Sequence, residues 1–399
     1  MRGAGGRRAA GGLGRWASAL AVLGACGLVL ALPGQGPFAR WRFALGILET
    51  LRAPGPRSWL DQHTPAPTRT TTVLRADGRR LVADVYRPGG AASPYPVLFV
   101  PGMVEGGKDD PRVRPFAELL ARAGWVTVVP DLPSFRALQV SADNVRDMDH
   151  ALDALLARRD LAPRGQAGVF AVSYAGGIAL LSALEPRRAP AVRFMTLVGA
   201  YSDLDSTLVY LATGRVFEHG RSRMSPRSPY GQLVFVRTFE AFVPRARDRA
   251  LLEAMVARRM KNFHAPVADL ARRLHPDARL IYDLFEGAPR DSVPALAARL
   301  PKPLRARMAA LSPDRHDFSP LHARMYLAHA HDDGTFPTSQ AEQLAALARP
   351  HVPVRLVVLT ALDHVEPEPW HHGLGKFLTR DVPEAMRLTM WWAELLKER

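Results

Sequence analysis

Two hydrophobic periods take turns along most of this chain. Thr70–Leu74 is a β-branched run and Leu81–Tyr86 an alternating one, and the pair Asp77-Gly78 between them predicts a hairpin. Pro96–Val100, Trp125–Val129, Gly168–Val172, Phe194–Val198, Met325–Ala328 and Val354–Leu359 are short apolar runs. Such runs predict strands buried on both faces. Phe116–Ala123, Asn144–Arg158 and Ala175–Leu184 intervene with helical spacing, and Gly124 is placed to stop the first of them. Strands alternating with helices imply right-handed crossovers, and so an α/β fold with a mostly parallel central sheet flanked by helices. The carboxyl ends of such strands are where chemistry is expected.

The N-terminus follows a different pattern. Arg2, Arg7, Arg8 and Arg15 precede the charge-free run Trp16–Leu32. A helix of that length spans about 25 Å, slightly less than a bilayer core of about 30 Å. The basic flank and apolar run predict an N-terminal transmembrane signal anchor, with the arginines cytoplasmic and the remainder exported. Cleavage after Val29-Leu30-Ala31 would instead release a secreted or periplasmic protein, and Leu23-Gly24-Ala25-Cys26 faintly resembles a lipidation site. A stretch of short helical promise, Phe38–Leu51, and the Pro-rich Ala53–Pro67 then read as a linker.

Composition narrows the function classes. The 399 residues, 47% hydrophobic and 23% charged, are those of a globular chain and exclude a collagenous or disordered one. The lone Cys26 excludes a disulfide framework, a Cys-rich zinc module and an iron–sulfur cluster. The formal net charge is +15, yet only five basic residues are lysine and no block of five or six basic residues occurs. The arginines therefore read as scattered solvated faces, and no nucleic-acid partner is expected.

Three predicted strand ends carry reactive side chains. Gly168–Val172 runs into Ser173-Tyr174-Ala175-Gly176-Gly177, a serine at a sharp strand-to-helix turn. That turn exposes the hydroxyl beside the N–H groups of a helix N-terminus. Ala171 and Ala175 stand where the usual G-x-S-x-G pattern has glycine. His329-Ala330-His331-Asp332-Asp333-Gly334-Thr335-Phe336-Pro337 follows the strand Met325–Ala328, and Ala361-Leu362-Asp363-His364 follows Val354–Leu359. Serine, acid and histidine thus arrive in the chain order of an α/β-hydrolase triad. The segments VLFVPG, FAELLARAGWVTVVPDLPS, GVFAVSYAGG, LAHAHDDGTFPTSQAEQL and LTALDHVEP resemble blocks of the α/β-hydrolase superfamily, from about Thr70 to the C-terminus. The resemblance does not reach a particular esterase or peptidase subfamily.

The resemblance implies the α/β-hydrolase fold, with Ser173 as nucleophile and His364 as base. It selects Asp333 over Asp332, because the family's acid stands four residues before a proline, here Pro337. Asp203 and Asp205, after the strand Phe194–Val198, are a second location for the acid. The oxyanion donors would be the backbone N–H groups of Tyr174 and, by resemblance, Met103 in Pro101-Gly102-Met103. No metal or cofactor is required by this chemistry. His329-x-His331-x-Asp333 nevertheless copies most of a zinc signature that ends in histidine, where this chain has Gly334.

From Tyr201 to about Pro320 the strand pattern stops. Pro229 with Leu233, Val236, Phe239, Phe242 and Val243, then Leu251–Met260, Val267–Leu274, Val293–Leu300 and Leu304–Leu311, predict helices. An inserted helical cap over the strand ends is expected, setting specificity. The division expected is residues 1–35 anchor, 36–67 linker, 68–200 and 321–399 hydrolase core, and 201–320 cap. The function expected is hydrolysis of a small-molecule acyl compound, most readily a carboxylic ester. The alternatives are a peptidase of the same fold, a catalytically degenerate envelope binding module, and a zinc hydrolase using His329, His331 and Asp333. Nothing in the sequence specifies an oligomeric state.

Overall fold

The computed structural model describes residues 38–399 apart from 53–56, 77, 219–220, 288, 361, 365 and 368–376. The run Trp16–Leu32 lies outside them. No described helix is long and apolar enough to cross a membrane.

Eight strands form one sheet: β1 (Thr68–Ala76), β2 (Arg79–Arg87), β3 (Val97–Val100), β4 (Thr127–Pro130), β5 (Ala167–Val172), β6 (Val192–Val198), β9 (Arg324–Ala330) and β10 (Val354–Leu359). Their order is β1-β2-β4-β3-β5-β6-β9-β10. Only β1 and β2 run against their neighbours, and every pairing from β4 to β10 is parallel. Successive strand residues feed opposite faces of this sheet. Leu98, Val100, Val169 and Ala171 enter one hydrophobic cluster, whereas Val97, Phe99 and Phe170 enter the other. Continuous apolar runs are what a sheet covered on both sides requires.

The helices that follow the strands are α3 (Val113–Arg122), α4 (Ala142–Ala157), α5 (Tyr174–Leu184), α12 (Thr338–Ala348) and α13 (Val382–Leu395). Two more precede the sheet, α1 (Ala39–Arg52) and α2 (Trp59–His63). The stretch expected as a linker is therefore docked over its described part. Ala44 and Ile47 of α1 are buried, α1 packs on α13, and Phe43 meets Trp59 edge-on at 5.9 Å.

Between β6 and β9 lie α6 (Leu204–Thr213), the hairpin of β7 (Arg215–Glu218) and β8 (Arg221–Met224), α7 (Pro229–Glu240), α8 (Ala246–Lys261), α9 (Pro276–Tyr282), α10 (Val293–Ala298) and α11 (Lys302–Ala310). Three corrections to the pattern reading arise here and in β9. The helix expected over Val267–Leu274 is a single turn, Ala268–Ala271, and Pro276 holds His275 extended ahead of the next helix. The region is not strand-free, since it holds the β7–β8 hairpin, whose basic sequence carries no apolar alternation. Strand β9 runs on to Ala330, so His329 is a fully buried strand residue opposite Val358.

Gly168 shows how tightly the sheet faces are filled. A Cβ there would lie 2.1 Å from the Phe194 ring. Overpacking of this kind costs roughly 1–3 kcal/mol. Gly168→Ala is expected to lower the stability measured by urea denaturation by that amount, without changing the far-ultraviolet circular dichroism.

Candidate active site

Ser173 sits between β5 and α5 with φ 58° and ψ −134°, in a region that L-residues rarely adopt. Its amide donates to the Val198 carbonyl at 2.7 Å, which ties the turn to the end of β6. Tyr174 is the first residue of α5, so its N–H has no partner one helical turn earlier. Glycines stand one and two positions beyond Ala175, the second glycine position of the usual pattern. A Cβ on Gly176 would lie 2.5 Å from Ala200 Cβ, and one on Gly177 2.4 Å from the Tyr201 ring. Ala171 and Ala175 are fully buried without such crowding. Gly102 lies against the serine, where a Cβ would approach Ser173 Cβ at 3.1 Å and Oγ at 3.6 Å. The loop holding Met103 is therefore beside the hydroxyl.

Asp333 lies beyond β9, where the chain turns inward and its carboxylate is buried. Oδ1 accepts from the amides of Thr335 (2.7 Å) and Phe336 (2.9 Å). Oδ2 accepts from His364 Nδ1 at 2.6 Å. His364 follows β10 at the turn of a small antiparallel bridge between Leu362–Asp363 and Glu366–Pro367, with φ 52°. A carboxylate only accepts, so Nδ1 carries the proton and neutral Nε2 is left as an acceptor. Nε2 faces Ser173 Oγ at 2.9 Å. Burial alone would raise the Asp333 pKa, but the His364 imidazole and the backbone amide of Phe336 hold it below the usual carboxylate range.

Two of the other acids, Asp203 and Asp332, are engaged elsewhere. Asp203 caps α6, accepting from the amides of Asp205 and Ser206. Asp332 is exposed and pairs with Arg223 at 3.1 Å and with His331 at 3.1 Å. His331 therefore points away from Asp333. His329 turns inward, with Nε2 2.8 Å from the Phe336 carbonyl and 3.4 Å from Asp333 Oδ2. Among the described residues, no three His, Cys, Asp or Glu side chains are grouped to hold a metal ion.

Side chains that the sequence reading missed fix the loops around this cluster. Tyr174, Tyr201 and Phe336 stack at 5.3 and 5.4 Å, and Phe336 meets the His364 ring at 6.1 Å. The Tyr174 hydroxyl donates to Asn144 Oδ1 at 3.0 Å. From the insertion, the Tyr210 hydroxyl lies between the carbonyls of Pro226 and Asp333, and the Ser228 amide donates to the Gly334 carbonyl at 2.6 Å. Tyr230 donates to the Met103 carbonyl at 2.8 Å, and burial pushes its hydroxyl up to about 12, so it remains a donor. Tyr210, Ser228 and Tyr230 are about a hundred residues or more from Asp333, Gly334 and Met103, and no local spacing announces them. The insertion also encloses a small cavity of about 30 Å³ lined by Leu233, Val236, Leu252, Met255, Ile281 and Phe285, among others, and by none of the Ser173 cluster.

A parallel sheet with an antiparallel edge, and a serine, an acid and a histidine presented in that order at its strand ends, define one architecture. This chain has the α/β-hydrolase fold. A Legionella pneumophila protein provisionally named a hydrolase superposes with TM-score 0.51 at 15% identity, over 90% of this chain and 94% of that one. An esterase from the archaeon Pyrobaculum calidifontis matches with TM-score 0.47 and 15% identity, over 93% and 96%. The acylaminoacyl peptidase of Pyrococcus horikoshii matches with TM-score 0.47 and 12% identity, over 76% of this chain and 38% of its own length. No family model and no curated sequence matches the chain.

Burial holds His329 below the usual histidine range, against the opposing pull of Asp333. Both depressed groups give a stability that is full above the unfolded-chain pKa and fades as pH falls. For His329 the loss begins below about pH 6.5, and for Asp333 below about pH 4. His329→Gln keeps a donor for the Phe336 carbonyl and removes the titration. Between pH 7 and 5 its urea-denaturation stability is expected to fall less steeply than the wild type's, by up to about 1.4 kcal/mol per pH unit.

Proposed function

We propose that this protein is a serine hydrolase of acyl compounds, carboxylic esters foremost, working through an acyl-enzyme. One observation carries the reading: the unbroken relay from Ser173 Oγ through His364 to buried Asp333, at 2.9 and 2.6 Å. A neutral serine hydroxyl is a poor nucleophile. His364 Nε2 takes its proton as Oγ attacks the acyl carbon, and Asp333 stabilises the resulting imidazolium. The carbonyl oxygen becomes an oxyanion, received by the N–H groups of Tyr174 and Met103; such a donor is worth about 3–4 kcal/mol in the transition state. The tetrahedral adduct collapses as the imidazolium hands its proton to the leaving alkoxide. Water then repeats the sequence on the acyl-enzyme and regenerates Ser173.

The region 201–320 serves in this reading as a cap that sets specificity. Its Tyr230 positions the Met103 loop. Residues 16–32 tether the enzyme as a signal anchor, with the catalytic body on the extracytoplasmic side.

Three outcomes test the assignment. A fluorophosphonate probe is expected to label Ser173, and Ser173→Ala is expected to lose both labelling and roughly 10⁴-fold or more of p-nitrophenyl ester turnover while melting like the wild type. Peptide amides cleaved faster than esters would shift the assignment to a peptidase, and a folded protein that takes no probe would be a binding module. Tyr230→Phe leaves the Met103 carbonyl unpaired. It is expected to lower kcat about fivefold, with little change in KM, a loss of about 1 kcal/mol felt chiefly in the transition state.

A further inference from the structure

Helix α1 is apolar on two opposite sides. At 100° per residue, Ala44, Ile47 and Thr50 fall on the side that faces the body, and all three are buried. Phe38, which adjoins the helix start, and Trp41, Leu45 and Leu48 fall on the other side, spaced by three, four and three residues. Phe38 and Trp41 are 49% and 39% exposed, whereas most other large apolar side chains among the described residues are covered. Arg40 and Arg52, also exposed, lie at either end of the helix. Leu45 and Leu48 are half-buried, so the open part of the stripe lies at its Phe38–Trp41 end, and that part gains nothing from water.

Position decides what covers it. The charge-free run ends at Leu32, and Phe38 follows six residues later. Six residues reach at most about 20 Å. If that run is held in a bilayer, the stripe cannot leave the neighbourhood of the bilayer surface. Tryptophan and phenylalanine settle at the level of lipid headgroups, and arginines beside them meet anionic phosphates. We infer that α1 docks on the lipid surface through Phe38, Trp41, Leu45 and Leu48, fixing the catalytic body against the membrane instead of leaving it to swing on a tether. The inference rests on the anchor proposed above.

The test uses the full chain with Cys26→Ala, reconstituted in vesicles of phosphatidylcholine and phosphatidylglycerol. Phe38→Cys and Leu45→Cys carry an environment-sensitive nitrobenzoxadiazole label, and Val82→Cys, at a residue 42% exposed on β2, is the reference. Flotation with the vesicles reads the anchor, and the label reads the docking. The expected result is flotation, blue-shifted emission at positions 38 and 45, and about threefold stronger quenching by doxyl lipid there than at position 82, as burial in the headgroup layer requires. Flotation with emission at 38 and 45 like that at 82 overturns the docking and leaves the anchor standing. Failure to float overturns both. Self-quenching between labelled copies without lipid quenching assigns the stripe to a second copy of the chain and overturns the lipid surface as its partner.

Discussion

A buried carboxylate is the demand that organises the strand ends around Ser173. Charge removed from water is costly unless every lone pair finds a donor. Asp333 meets that requirement with two backbone amides on one oxygen and His364 on the other. The amides belong to Thr335 and Phe336, so the turn after β9 must close tightly around its own first residue. That closure sends Phe336 inward onto Tyr201 and beside the His364 ring. The imidazole is thus oriented by a charge on one side and an aromatic surface on the other. Only then does Nε2 come within 2.9 Å of Ser173.

Two backbone positions absorb strain for this arrangement. Ser173 and His364 both have positive φ without being glycine, a cost of order 1–3 kcal/mol at each position. The surrounding packing holds them there. The amide of Ser173 is captured by β6, and Gly176 and Gly177 let α5 approach Ala200 and Tyr201 at distances no side chain permits. The sheet supplies the rigidity, and the strand ends carry the strain.

The parts legible in the sequence are those whose signal is local. Strands buried on both faces read as apolar runs, the hairpin announced itself through Asp77-Gly78, and the three reactive side chains stood at strand ends in family order. What was not legible depends on distant partners. Helix α6 is an exception, since Leu204, Leu208 and Leu211 do stand at helical spacing; Asp203, a candidate acid in the sequence, turns out to be its cap. His329 looked like a loop ligand because nothing local shows that the Phe336 carbonyl would draw it into the core. Several arginines of the insertion, which read as a solvated face, close backbone carbonyls instead. Arg227 reaches the Ala212 carbonyl at the end of α6, and Arg249 reaches those of Val243 and Pro244.

The insertion's attachment limits how it can work. Within the stretch 226–230 the Pro226 carbonyl shares the Tyr210 hydroxyl with Asp333, the Ser228 amide holds Gly334, and Tyr230 holds Met103. The Val140 amide adds a fourth tie, to the Thr238 hydroxyl of α7 at 2.9 Å. A lid that swung away as one body would have to release the acid loop and the loop beside Ser173 together. Each hydrogen bond given up to water costs about 0.5–1.5 kcal/mol net, so breaking these ties together would cost a few kcal/mol and loosen both loops beside Ser173. Access to Ser173 is therefore better served by small movements of side chains at the rim than by a hinge. Under the proposed function the same ties bear on specificity, since a substrate that shifted α7 would also shift Met103 and Gly334. On the proposed function, recognition in the insertion and the geometry at Ser173 are parts of one mechanical unit, in which a poorly fitting acyl group loses rate as well as affinity.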